Sequence, residues 1–181
     1  MKRLFLLIII VSSLHATAQI NDYIVSTDGI GAVKLGMSQE ELEKLLNKKI
    51  PLTNPTDTTG AWNDSAKIKY KNIPLKLEFV RTYNADNSFY MRVTGIETSS
   101  LLCKTKTGIG IGSDKLRIIT AYETNPIRIY PDYTNDSYST PSRTSAILFV
   151  RSNEMGRAML FTLINKKVTL IKVAEDYDDS E

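Results

Sequence analysis

The sequence predicts an α+β fold built from two tandem units, each a helix packed on an antiparallel sheet. Three observations predict it. Segment 33–46 matches segment 109–122 without a gap at a constant offset of 76 residues, and a fixed offset held over a whole segment marks an internal repeat. Apolar residues at helical spacing follow a glycine turn in each copy, and alternating apolar residues follow each helix.

The elements follow in chain order. Lys2 and Arg3, an apolar run from Leu4 to Val11 and then Ala16-Thr17-Ala18 form the three parts of a secretory signal. The apolar run is too short to span a bilayer. Cleavage is expected between Ala18 and Gln19. Removing 18 of the 181 residues leaves 163, which divide into a first unit over 19–100 and a second over 101–181 within one compact domain. The signal takes with it His15, the one histidine, and two of the 23 basic residues, so 21 basic residues face 20 acidic ones. A near-neutral chain lacks the electrostatic footprint of a nucleic-acid binder.

In the first unit, Val33-Lys34-Leu35 reads as a short strand and Gly36 as a tight turn. Ser38 with Glu41 three positions on makes a capping box. A helix is expected to about Leu46, with Leu42, Leu45 and Leu46 on its apolar face. In the second unit Ile109-Gly110-Ile111-Gly112 takes the place of strand and turn, and Ser113 or Asp114 supplies the cap. That helix should run to about Tyr122 and stop before Asn125-Pro126. Ile68 and Tyr70, Leu75 to Phe79, and Tyr90 to Thr94 alternate as strands of the first half. Ala146-Ile147-Leu148-Phe149-Val150 and a hairpin turning at Asn165-Lys166-Lys167 supply those of the second. Val93-Thr94-Gly95-Ile96 is echoed by Val168-Thr169-Leu170-Ile171 at an offset of 75.

Composition excludes more chemistry than it suggests. Without histidine, catalytic triads and histidine-bearing zinc sites are closed to the mature chain. Cys103 is the single cysteine, so no intramolecular disulfide forms, and it reads as a small buried residue in a strand. No cofactor motif emerges. Gly108, Gly110 and Gly112 alternate with no lysine placed for a phosphate loop. Asp132, Asn135 and Asp136 lack the ordered spacing of a calcium loop. The acidic stretch 175–181 reads as a solvated tail. Two acids suffice for glycoside hydrolysis, but no pair is singled out. The binding candidates are aromatic: Tyr130, Tyr133 and Tyr138 on a polar loop after the second helix, with Trp62 on its counterpart in the first half. The open sheet face around Tyr70, Tyr90 and Arg92 is the fallback.

The segment 35–46, Leu-Gly-Met-Ser-Gln-Glu-Glu-Leu-Glu-Lys-Leu-Leu, and the run from Gly108 to Ser113 leading to Ala121-Tyr122 resemble the β-lactamase-inhibitor-protein-like fold. That fold comprises tandem helix-plus-sheet repeats in exported bacterial proteins, and small outer-membrane assembly lipoproteins are related to it. Two features depart from the pattern. Helices in such repeats commonly end in glycine, where this chain has Asn47 and Glu123, and no cysteine stands at the cleavage site to carry a lipid. The resemblance implies a non-enzymatic, protein-binding or envelope role, inhibitor-like in frame; together with the signal and the near-neutral charge, the expectation is a periplasmic or secreted protein whose partner is another exported or envelope protein, with neither nucleic acid nor a transmembrane segment involved. A small-ligand or glycan-binding accessory module is the alternative.

Overall fold

The chain's strongest alternation lies in Ile73, Leu75, Leu77 and Phe79, all buried, with intervening residues turned outward. Such a strand has one face to cover and one to leave open. In the computed structural model, which describes residues 22–52, 63–133, 140–152 and 156–176, it becomes the second strand of a large sheet. Seven strands compose that sheet: β4 (Asn63–Tyr70), β5 (Ile73–Tyr83), β6 (Phe89–Thr98), β8 (Ile127–Tyr133), β9 (Pro141–Arg151), β10 (Arg157–Ile164) and β11 (Lys167–Glu175). Their order is β4-β5-β6-β11-β10-β9-β8, antiparallel throughout. A second sheet, ordered β3-β2-β1-β7, joins β1 (Ile24–Ser26), β2 (Gly29–Ile30), β3 (Val33–Lys34) and β7 (Lys104–Thr105), with β1 and β7 parallel.

The α+β expectation is therefore corrected. Strand makes up 56% of the structure, against two short helices, α1 (Gln39–Leu46) and α2 (Lys115–Ala121). Nor are there two separate helix-plus-sheet units. The last strands of the two halves pair with each other from Thr98↔Ile171 to Gly95↔Ala174, and the seven strands become one sheet. Each helix buries a single side chain, Leu42 in α1 and Ile118 in α2, while Leu45 is 40% exposed and Leu116 72%. Helices this short cannot cover seven strands. The small sheet does much of the covering, and Val25, Ile30, Val33 and Ile109 share one core with Leu77, Phe79, Val93, Phe161 and Val173.

What the 76-residue echo encodes is narrower than a repeated unit. Gly36 donates its N–H to the Val93 carbonyl at 2.8 Å and Gly112 does the same to Val168 at 2.8 Å, while Val93 and Val168 donate back to Met37 and Ser113, each at 2.9 Å. One residue further along each strand, Thr94 and Thr169 sit at register shifts. Their hydroxyls donate across the bulge to the Glu78 and Thr162 carbonyls at 3.4 and 3.3 Å. A glycine turn thus docks twice on a strand edge beside a threonine bulge. Both glycines lie in the left-handed region, at φ 83° and 85°, and a Cβ on either would meet nothing within 4 Å. Replacing Gly36 or Gly112 with alanine should therefore cost about 1–2 kcal/mol from backbone strain alone. Urea midpoints should fall by similar amounts in both variants; a large inequality would show that the two turns are not equivalent.

The caps explain why α1 is the better helix. The Ser38 hydroxyl accepts from the Glu41 N–H at 3.2 Å and the Glu41 carboxylate accepts from the Ser38 N–H at 2.8 Å, while Asn47 closes the helix at φ 49°. In α2 neither expected cap forms. Asp114 makes no side-chain cap bond and pairs with Lys167 at 2.7 Å, and the Ser113 hydroxyl accepts from Gly110. Tyr122 ends α2 at φ −126°, without a left-handed residue.

Beyond α1 the chain is tied back by Glu43, whose carboxylate accepts from the Ile50 N–H at 3.0 Å and from Lys49 Nζ at 2.6 Å. The Ile50 bond and then the lysine hold its pKa below the ordinary 4.5. The folded state thus favours the carboxylate, and this contribution is present above the unfolded pKa and lost as pH falls through the lower, folded one. Wild type should exceed Glu43→Gln in Tm near neutral pH, with the gap narrowing as pH falls below the ordinary carboxylate range. A gap independent of pH would show that Glu43 does not act through its charge.

Candidate functional site

Strand register places one residue from each strand in a line across the outer face of the large sheet: Arg128, Phe149, Leu160, Lys172, Glu97, Lys76 and Lys67. The neighbouring line runs Tyr130, Ile147, Thr162, Leu170. The outer face is thereby divided. On β8, β9, β10 and the start of β11 it is mainly apolar and aromatic, with Arg128 and Thr162 among these residues; on β4, β5, β6 and the rest of β11 it is mainly charged. The small sheet and the helices pack against the inner face, and among the described residues no layer covers the outer one.

Among the described residues much of the charged half is paired, Lys67 and Lys69 on the β4 edge excepted. Lys172 Nζ stands 2.7 Å from Glu78 and Lys76 3.9 Å from Glu97. Arg92 bonds the Glu175 carboxylate and donates to the Thr82 hydroxyl at 2.9 Å. Partly exposed pairs contribute about 0–1 kcal/mol each, so they set a charge pattern more than they stabilise the fold. Tyr130 is 42% exposed and meets Phe149 edge to face, with centroids 6.2 Å apart at 87°, while Ile147, Phe149, Leu160 and Leu170 are half-buried. An apolar patch exposed beside charged residues is a candidate interaction site.

The sequence-predicted residues fare unevenly. Tyr130 belongs to the apolar half. Tyr133 lies at the end of β8 opposite Pro141. Both stand on a strand where a loop was expected, and Pro131 is the reason: a proline interrupts a strand reading, yet β8 is an edge strand, where a missing N–H is tolerated. Trp62, Tyr138, Asn135, Asp136 and the cleavage pair Ala18 and Gln19 lie outside the described residues. The fallback face is corrected as well. Tyr70 is 3% exposed, on the inner side, its hydroxyl accepting from the Ala32 N–H at 3.2 Å. Ile147, Phe149, Leu160 and Leu170 were not singled out, although Ala146 to Val150 carries a signal. Apolar residues at every position of a strand leave one apolar face uncovered unless both faces are packed.

Other sequence features resolve as structure. Cys103 is fully buried immediately before β7, not within a strand, and burial pushes its thiol pKa up, opposite to what a nucleophile needs. A Cβ on Gly110 would stand 2.8 Å from the Cys103 carbonyl, so that glycine serves backbone packing. Asp132 accepts from the Ser145 hydroxyl. Glu175 and Asp176, at the start of the acidic stretch, are ion-paired. Among the described residues no group of three or more acidic, cysteine or histidine side chains is placed to hold a metal, and no helix is long and apolar enough to cross a membrane. No family model matches the chain, nor does any curated protein or solved structure.

Proposed function

We propose that this is an exported, non-enzymatic binding protein that recognises another exported or envelope protein through the outer face of its seven-stranded sheet. One observation carries the reading: Tyr130, Ile147, Phe149, Leu160 and Leu170 cluster on the outer face, bordered by Arg128 and Thr162, with no described element over them. Residues held on paired strands are already ordered, so a partner that covers them loses little conformational entropy on binding. The matched charges beside the patch act as a polar rim, setting orientation more than affinity. The secretory pattern of residues 2–18 and the resemblance to inhibitor-like proteins support the compartment and the non-catalytic role. The test is capture from the native envelope by wild-type protein and by Phe149→Asp in parallel. A partner retained by the first and lost by the second supports the reading; equal capture by both refutes this face.

A further inference from the structure

A groove of about 470 Å³ separates strand β4 from the chain leaving α1, and its volume falls within the range of small-molecule sites, about 300–1,000 Å³. We propose that it binds a single-chain anionic amphiphile. Its floor is apolar, formed by Leu46, Ile50, Pro51 and Ile68. Its rim is cationic on both sides, with Lys48 and Lys49 from the chain after α1 and Lys67 and Lys69 from β4. Lys49 is paired with Glu43 at 2.6 Å, whereas Lys48, Lys67 and Lys69 have no carboxylate partner among the described residues. Lysine on an edge strand blunts unwanted strand pairing, which accounts for Lys67 and Lys69. It does not account for Lys48, which another segment brings onto the opposite rim. Converging like charges repel, and an anion between them removes the repulsion. An apolar floor beneath a cationic rim matches a ligand with a carboxylate or phosphate head and an alkyl chain.

Both walls of the groove are tethered. Glu43 fixes Ile50 by its N–H, and the two-residue turn at Lys71 and Asn72, with φ 42° and 71°, holds β4 against β5. The probe is decyl phosphate below its micellar concentration, titrated into the full chain and followed by backbone NMR, with inorganic phosphate, decanol and anionic phospholipid vesicles as parallel arms. Saturable shifts are expected at Ile50 and at Lys67, Ile68 and Lys69, with phosphate and decanol each at least about ten-fold weaker, since each forfeits one half of the recognition. Lys67→Glu combined with Lys69→Glu should weaken decyl phosphate by about ten-fold or more with the urea midpoint little changed. Three results would overturn the proposal: phosphate matching decyl phosphate, which leaves a plain anion patch; decanol matching it, which leaves the lysines idle; and shifts confined to other residues. Binding to vesicles with none to monomeric decyl phosphate would also overturn it, in favour of a membrane-docking surface.

Discussion

Phe161→Ala should lower the unfolding free energy by about 3–5 kcal/mol, and should do so for both halves of the chain at once. Phe161 is fully buried on β10, opposite Leu148 and Ile171 on its two neighbouring strands, and its ring lies 6.3 Å from that of Tyr122. Truncation leaves a cavity that these neighbours, fixed by strand pairing, cannot close. Domains of this size are stable by about 5–15 kcal/mol, so the loss is a large share of the total. Its reach follows from topology. The β6–β11 pair makes the sheet continuous, and Phe161 shares one core with Leu77 and Val93 of the first half. Urea denaturation measures the loss, and amide exchange locates it. Protection at Leu77 and Val93 should fall together with that at Leu148; unchanged protection in the first half would mean that the halves unfold independently and that their junction contributes little.

Phe149→Asp should have the opposite profile, costing stability about 1 kcal/mol through lost cross-strand contacts while weakening partner capture by about 30-fold or more. That figure corresponds to the 2 kcal/mol or more typical of a truncated aromatic anchor. Phe149 stands between Arg128 and Leu160 in register and beneath the Tyr130 ring. A carboxylate there puts charge in the middle of the apolar half. Leu116→Asp is the control, since Leu116 is 72% exposed on α2, away from the sheet. It should alter neither stability nor capture. If Leu116→Asp abolishes capture and Phe149→Asp does not, the recognition surface lies on the helix side.

The parts of this fold that sequence made legible are those specified locally. Ser38 and Glu41 cap α1 through side chains three positions apart, and Asn47 adopts the left-handed geometry its short polar side chain tolerates. Leu75, Leu77 and Phe79 declared their strand by alternation. What stayed hidden depends on pairing between distant segments. Strands of two or three residues, such as Gly29–Ile30 and Lys104–Thr105, are too short to show a period, so apart from Val33–Lys34 the small sheet was invisible and the helices received its covering role. The Val-Thr echo was legible as a pattern, but its meaning, a threonine bulge beside an edge that takes a glycine turn, requires knowing which strand lies next to which. The outer apolar face was half legible. Tyr130 stood out by residue type, whereas Phe149 was read only as part of a strand and Leu160 was not singled out, because an uninterrupted apolar run does not disclose which of its faces is covered.

The most direct test of the outer sheet face as the recognition surface is a methyl-resolved NMR titration of the protein with the partner it captures. The methyl resonances of Ile147, Leu160 and Leu170 should shift or broaden on binding, while those of Leu101, Leu102 and Leu116, all exposed but off the sheet, should stay in place. Shifts at Leu101, Leu102 or Leu116 with Ile147, Leu160 and Leu170 unmoved would contradict the account.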